Sequence, residues 1–377
     1  MHHSKNHLKP AFCLALSLAA GSSLGAPVNY EMNLTTTSGL GAGGTMNTLG
    51  MLFGAKDRSG SSATRSMELR LTNPADIPEG YQATHSVPAA MRIGPQLPLT
   101  GQRHSRGGER GETKESQPEG RVLIYWGCAT TIPKGQPEII DFKALAARMP
   151  PEVMAMTRQS RASGHPASGA PASLPPRTLG WPWGDDNFRG IPGEASAVGE
   201  HAVTASFMPQ EIRYTLDANL DFLEPMGLAT SAGNTRATIP LTWQALARAR
   251  GYDLHAVGSN SEKEMVIWLA AKGKSPMLPG RQHECTIAEG VFAKSPMAMV
   301  AAQAFGPLQG FAYPPQKPGE KKPLIWTAKV RINAYDNLMV GMQDAAAGAA
   351  RESAKDSAVD AVVPAGVGGV LKGLFGH

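Results

Sequence analysis

The stretch Gly251-Tyr-Asp-Leu-His-Ala-Val257 alternates apolar and polar side chains along most of its length. An alternation with period two is typical of a strand with one buried face. Met67–Leu71 and Glu211–Leu216 repeat the pattern, and the continuous apolar runs Val122–Trp126 and Met265–Ala270 predict buried strands. Short strands separated by Gly, Pro and Asn turns favour an antiparallel sandwich. We therefore expect a mainly β protein with one or two antiparallel β-sandwich-like domains and a C-terminal Ala-rich helix.

Two aromatic motifs occur in neighbouring predicted strands: Leu241-Thr-Trp243 is followed by Gly251-Tyr252-x-Leu254-x-Ala256. This pair resembles the second and third strands of fibronectin type III and related immunoglobulin-like domains, and the likeness covers the segment around 205–335. The resemblance implies that Trp243 and Tyr252 pack across a sandwich core. It also implies a binding or spacing module. The proline-rich stretch 306–323 and the long tail depart from the family pattern.

Shifts in composition along the chain predict six segments. Stretches rich in Gly, Ser, Pro and Ala bury too little apolar surface to offset the entropy of ordering, so they predict linkers. The segments are a signal peptide (1–26), a flexible Gly/Ser-rich lead-in (27–65), a first β unit (66–150), a Pro/Ala/Ser-rich linker or loop (151–200), a second, fibronectin III-like β unit (201–340) and a helical Ala/Gly-rich tail (341–377).

Residues 1–26 follow the three-part plan of a secretory signal peptide. Lys5 and Lys9 precede an apolar run over 11–20, and small residues close the segment before Pro27. The apolar run is too short to span a bilayer. We expect an exported bacterial protein, periplasmic or associated with the outer membrane. Because ATP and NAD are cytoplasmic, we expect no cofactor.

The charge of the chain argues against a nucleic-acid partner. Lys and Arg number 36 against 31 Asp and Glu, which gives a net charge of +5 without any dense basic cluster. So diffuse a charge suits weak attraction to anionic envelope surfaces. An envelope protein or a polysaccharide is the expected class of partner.

The C-terminal tail changes character from the rest of the chain. Leu338–Val363 is rich in alanine and has no proline, so it predicts a helix that ends at Pro364. Residues 365–377 form a Gly-rich apolar stretch that contains Leu371 and Phe375 and is too short to cross a membrane. Loose packing, peripheral membrane contact and docking on a partner are three interpretations of this tail.

Three cysteines are present, and Cys13 lies within the signal peptide. Cys128 and Cys285 remain as an even pair, and an oxidising compartment permits a disulfide between them. Two separately buried thiols are the alternative.

The clearest site candidates follow the linker, in Trp181-Pro-Trp183-Gly-Asp185-Asp186. Trp181 and Trp183 form either an exposed binding platform or the aromatic edge of a core. Asp185 and Asp186 form either a solvated loop or an acidic pair that acts on a glycoside or binds calcium. No histidine or cysteine spacing demands a metal, so we predict no metal site.

These observations lead to one main hypothesis and one alternative. The main hypothesis is an exported, non-catalytic binding or scaffolding protein of the periplasm or cell envelope. The alternative is an envelope hydrolase that acts on glycans with an acidic site near Asp185 and Asp186. The two differ in a structural requirement, because an enzyme needs at least two titratable groups that converge in a pocket.

Overall fold

The computed structural model describes residues 26–40, 63–101, 120–148, 177–183, 189–273, 277–317, 319 and 322–341. The predicted signal peptide lies outside these residues apart from its last residue, as do most of the predicted linker and almost all of the predicted tail. Within the described residues no helix is long and apolar enough to cross a membrane.

The described chain is mainly β, as the sequence predicts. It contains one short α-helix, α1 (Phe142–Arg148). The strands are β1 (Val28–Thr37), β2 (Thr64–Thr72), β3 (Ala83–Ser86), β4 (Gln96–Pro98), β5 (Thr100–Gly101), β6 (Arg121–Trp126), β7 (Glu138–Asp141), β8 (Thr178–Trp181), β9 (Gly199–Ala205), β10 (Ile212–Leu216), β11 (Ala229–Thr230), β12 (Ile239–Thr242), β13 (Gly251–Ser261), β14 (Glu264–Leu269), β15 (Leu278–Pro279), β16 (Glu284–Ile287), β17 (Ala298–Tyr313) and β18 (Trp326–Val340).

Eleven strands form one main sheet in the order β5-β8-β2-β1-β18-β17-β13-β14-β6-β7, with β15 paired to β13. The sheet is mixed, because β1 runs parallel to β18 and β14 runs parallel to β6. The sequence predicts an antiparallel arrangement, and these two pairs depart from it. Parallel pairing joins segments that are distant in sequence, so local patterns do not reveal it.

The first strand corrects the predicted lead-in. We expected a flexible segment over 27–65, but Val28–Thr37 pairs along its whole length with β18 on one side and β2 on the other. Alternate side chains of β1, among them Tyr30, Met32 and Leu34, are almost fully buried. Their burial explains why this segment is ordered although glycines follow it in the sequence.

The boundary between the two predicted β units also differs from the structure. β6, from the first unit, pairs with β14, from the second, over Arg121–Trp126 and Glu264–Leu269. The two ranges 66–150 and 201–340 therefore share one sheet. The predicted linker contributes as well, because β8 pairs with β2 and buries Leu179 and Trp181.

Two smaller sheets accompany the main sheet, one in the order β10-β9-β3-β4 and the other in the order β11-β12-β16. The four-stranded sheet packs against the main sheet, because the ring of Tyr214 in β10 stacks on Phe311 in β17 at 5.0 Å between centroids. In the three-stranded region, Trp243 directly follows β12 and meets Tyr252 of β13 at 5.3 Å between ring centroids.

The end of the main sheet overlaps the predicted helix. Leu338–Val340 are the last residues of β18 and pair with β17, so a helix does not begin at Leu338. The remainder of that prediction, from residue 342 onwards, lies outside the described residues.

Candidate functional site

The predicted tryptophan pair divides between core and surface. Trp181 is 1% exposed and lies in β8, so its ring contacts the protein interior. Trp183 is half-buried, and a Cβ built on Gly180 would lie 2.4 Å from its ring. Only Trp183 keeps a surface that a soluble ligand could reach. Asp185 and Asp186 lie outside the described residues, and the acidic site stays a prediction.

Cys128 and Cys285 are joined. Cys128, exposed in the turn after β6, forms a disulfide with the buried Cys285 of β16. The bond ties the main sheet to the three-stranded sheet and forms one wall of an open pocket of about 450 Å³. Among the residues that line this pocket, Glu284 alone carries an ionisable group, so the lining offers no acid–base pair.

Clusters of His, Cys, Asp or Glu side chains are the usual ligands of metal ions in proteins. In the described part of the chain, no group of three such side chains comes close enough to hold an ion. His255 lies 3.6 Å from Asp253, and both side chains are partly exposed. These two residues form a surface ion pair when the imidazole is protonated.

A buried network of aromatic polar groups lies between the four-stranded sheet and the main sheet, and no pattern in the sequence indicates it. The hydroxyl of Tyr30 lies 2.7 Å from Nδ1 of His85, and Nε2 of His85 lies 3.0 Å from Nδ1 of His201. Nε2 of His201 lies 2.8 Å from the carbonyl of Ala197. Both histidines are fully buried.

The carbonyl of Ala197 at one end fixes the direction of every hydrogen bond in this network when both imidazoles are neutral. A carbonyl oxygen only accepts, so Nε2 of His201 donates to Ala197 and its Nδ1 accepts from His85. Nδ1 of His85 then accepts from the hydroxyl of Tyr30. Every ring nitrogen is satisfied with both imidazoles neutral.

Burial keeps both histidines neutral. Desolvation holds the pKa of His85 well below its ordinary value, and the neighbouring His201 lowers it further. Burial lowers the pKa of His201 too, against the opposing effect of its hydrogen bond to Ala197. Desolvation also raises the pKa of Tyr30 and of Tyr214, which stacks on His201. The residues that line the pocket beside the disulfide do not include Tyr30, His85, His201 or Tyr214. We therefore interpret this hydrogen-bonded network as structural.

The outer face of the main sheet offers a different kind of site. Successive residues of a strand point to opposite faces. In β14, Val266 and Trp268 are buried in the core, while the outward Met265 is 46% exposed. In β17, Val300 is buried and the outward Met299 is 45% exposed.

Outward side chains over one half of the sheet include ten apolar ones, among which lie the polar side chains of His255 and Ser259 in β13 and Asn337 in β18. We call this surface the apolar sheet face and define it as Val122, Ile124 and Trp126 of β6, Val257 of β13, Met265, Ile267 and Leu269 of β14, Met299 and Ala301 of β17, and Met339 of β18. Strand register aligns five of them in one row across five strands, in the order Ile124, Ile267, Val257, Met299 and Met339. Such a row extends about 19 Å at the usual spacing of strands.

The other half of the same outer face is polar. Arg331 of β18 pairs with Glu31 of β1 at 3.3 Å, and Arg70 of β2 pairs with Glu68 at 3.5 Å. Charged groups also border the apolar sheet face, since Nζ of Lys272 lies 4.0 Å from the centre of the Trp126 ring. An apolar patch with a polar rim is typical of a protein-binding surface.

The sequence contained a signal for this face that pointed elsewhere. Both the odd-numbered and the even-numbered positions of Val122–Trp126 and Met265–Ala270 are apolar, which predicted buried strands. In the structure, the inward side chains of Leu123, Val266 and Trp268 are buried, whereas the outward side chains of both strands are half-buried or exposed. The continuous apolar run therefore marks a sheet with a second apolar face.

Known proteins do not indicate a function for this chain. The chain matches no protein-family model, and the searches of curated proteins and of solved structures also find no match.

Proposed function

We propose that this chain is an exported, non-catalytic binding or scaffolding protein of the bacterial periplasm or cell envelope. The apolar sheet face is the observation that carries the proposal. Its exposed methionines keep large apolar side chains in contact with water, at a cost in solvation that burial against a partner would remove. A flexible thioether also adapts its shape to the surface it meets.

An envelope protein is the partner class that this face favours over a polysaccharide. Sugars are bound through aromatic platforms and dense hydrogen-bonding groups, whereas the row from Ile124 to Met339 is aliphatic. A stable protein interface buries about 800 Å² on each partner. The face, together with its charged border near Lys272 and Glu138, is a suitable centre for an interface of that kind.

The proposal includes the β-sandwich architecture that the sequence favours. The stacking of Tyr214 on Phe311 supports two packed sheets, and the contact between Trp243 and Tyr252 supports the fibronectin-type resemblance. Sandwich modules of this type commonly present one sheet face or one edge to a partner.

Fractionation of the native cells tests the proposal with matched charge substitutions. Met299→Asp places a carboxylate in the centre of the apolar sheet face, and Ser66→Asp places the same group at an exposed outward position of β2 in the polar half. We expect the wild type and Ser66→Asp to sediment with the envelope, and Met299→Asp to move to the soluble periplasmic fraction. Equal thermal unfolding midpoints would show that both variants fold.

The same fractionation can contradict the proposal in two ways. If Met299→Asp sediments as the wild type does, the apolar sheet face is not the binding surface. If all three proteins are soluble, envelope association itself is excluded.

A further inference from the structure

The outer face of the main sheet carries a third kind of surface, beside the apolar sheet face and the charged pairs. Its side chains are polar or aromatic and point outward from three adjacent strands. We call this surface the Tyr335 platform and define it as Asp253 of β13, Gln303 and Phe305 of β17, and Asn333 and Tyr335 of β18. The alternate residues of these strands, among them Leu254, Ala304 and Ala334, are buried in the core. The core therefore holds the platform in place.

Strand register brings the five side chains of the platform together. Tyr335 lies opposite Gln303, and Gln303 lies opposite Asp253. In the neighbouring row, Asn333 lies opposite Phe305. Tyr335 and Phe305 are thus diagonal neighbours on adjacent strands, which are about 7–8 Å apart in a sheet. Two aromatic rings and three strongly hydrogen-bonding groups share one small area.

Hydrogen bonds within the platform orient its polar groups. A hydrogen bond joins the side chains of Tyr335 and Gln303, and Nε2 of Gln303 lies 3.5 Å from Oδ1 of Asn333. Partial burial raises the pKa of Tyr335, against the opposing effect of its hydrogen bond with Gln303, so the hydroxyl is protonated at neutral pH. Tyr335 is 39% exposed, and the other four residues are half-buried. A ligand can therefore reach the tyrosine ring and the edges of the polar groups.

A sugar chain is the ligand whose chemistry matches this mixture of side chains. Each sugar ring has an apolar face of C–H groups, which packs on an aromatic ring, and an edge of hydroxyl groups, which both donate and accept hydrogen bonds. Tyr335 and Phe305 supply the rings. Gln303 and Asn333 carry amides with donors and acceptors, and the Asp253 carboxylate is a strong acceptor for a hydroxyl.

The charge of the platform favours a neutral glycan. Asp253 carries the only charge among the five residues, and the platform includes no Lys or Arg. Phosphate, sulfate and nucleic acids are bound chiefly through such cations. A purely apolar partner is also disfavoured, because Gln303 and Asn333 would lose water without gaining hydrogen bonds.

We propose that the Tyr335 platform binds a neutral glycan chain. Sugar rings lie on Tyr335 and Phe305, and their hydroxyl groups hydrogen-bond to the amides and the carboxylate around them. The row from Tyr335 to Asp253 crosses three strands and extends about 10 Å, so the platform accommodates more than one sugar unit. This site is distinct from the surface assigned to a protein partner above, because Met299 and its row lie outside the platform.

An array of immobilised neutral oligosaccharides, built from hexoses and N-acetylhexosamines, tests the proposal with the purified protein. The oligosaccharide that binds best is then titrated by calorimetry. We expect Tyr335→Ala to weaken binding by about tenfold or more, and Tyr335→Phe, which keeps the ring, to weaken it less. Gln303→Ala is expected to weaken it by about threefold or more. Tyr313→Ala is the matched control, because Tyr313 is 38% exposed and lies outside the platform, at the end of β17.

Equal thermal unfolding midpoints would show that the variants fold, and Gln303→Ala provides the test if Tyr335→Ala does not. Binding to none of the neutral oligosaccharides would overturn the proposal. Equal affinity of the wild type, Tyr335→Ala and Gln303→Ala would also overturn it, since the glycan would then bind elsewhere. Binding only to heparin on the same array, lost at high salt, would identify a charge-driven contact instead. Met299→Asp is expected to bind the glycan as the wild type does, so the platform and the apolar sheet face can fail separately.

Discussion

Acidification below about pH 6.5 is expected to destabilise the fold through the buried pair His85 and His201. In the neutral state each imidazole nitrogen has a hydrogen-bond partner, and the carbonyl oxygen of Ala197 accepts the hydrogen bond from Nε2 of His201. A proton added to either ring brings a positive charge into a site from which water is excluded, and such a charge is costly to bury. Among the described residues, no carboxylate hydrogen-bonds to either imidazole.

The sign follows from the two pKa shifts. Both histidines have a pKa below the ordinary value in the folded protein, so the unfolded chain binds more protons at pH values between the folded and the unfolded pKa. The free energy of unfolding is therefore at its full value above about pH 6.5 and decreases as the pH falls towards the folded pKa values. In this window, each histidine changes the free energy of unfolding by up to about 1.4 kcal/mol per pH unit, and the two together change it by up to about 2.7 kcal/mol per pH unit.

Urea unfolding followed by tryptophan fluorescence measures this dependence between about pH 7.5 and pH 5. His85→Gln removes one titrating group, so the slope of unfolding free energy against pH is expected to fall by up to about 1.4 kcal/mol per unit, whatever the substitution does to the absolute stability. Val300→Ala, which removes buried methyl groups and no titrating group, is the control and is expected to keep the wild-type slope. Identical slopes for all three proteins would refute the interpretation of a neutral buried pair.

Three further predictions concern single features. Tyr30→Phe leaves Nδ1 of the buried His85 without its donor, and we expect a loss of about 1–3 kcal/mol in the free energy of unfolding. Replacing Cys128 and Cys285 together by serine opens a loop that spans 157 positions and, on the chain-entropy model, is expected to cost about 5 kcal/mol in urea unfolding. Asp186→Asn is expected to leave glycan release from purified cell walls at the background level of the wild type, and a wild-type activity lost in this variant would support the hydrolase alternative instead.

The mainly β class could be predicted from the sequence because one-face burial produces an alternation that is visible over a few residues. β13 shows this well, since the side chains at Leu254 and Ala256 are buried as the period requires. The parallel pairing of β1 with β18 could not be predicted, because its partners are separated by almost three hundred positions. Local composition even pointed the other way, since glycines after β1 suggested a flexible lead-in.

The candidate site was accessible to sequence reasoning only in part. The continuous apolar runs of β6 and β14 were identified as strands. A strand that is apolar on both faces is expected equally when other layers pack on both faces and when one face is open. The choice depends on whether another layer covers the strand, which is a property of tertiary structure. The contact between His85 and His201 depends on the pairing of β3 with β9, and no spacing in the sequence indicates it.

Because neighbouring residues of one strand face opposite sides, binding and stability can be separated experimentally in this protein. Val300 is buried in the core, and the preceding residue, Met299, is exposed on the apolar sheet face. Truncation of Val300 to alanine removes buried methyl groups and is expected to reduce the unfolding free energy by roughly 1–3 kcal/mol. Met299→Ala is expected to change it by less than about 0.5 kcal/mol while it weakens envelope association. If the two substitutions affect stability equally, Met299 is as buried as Val300, and the apolar sheet face is not open to a partner.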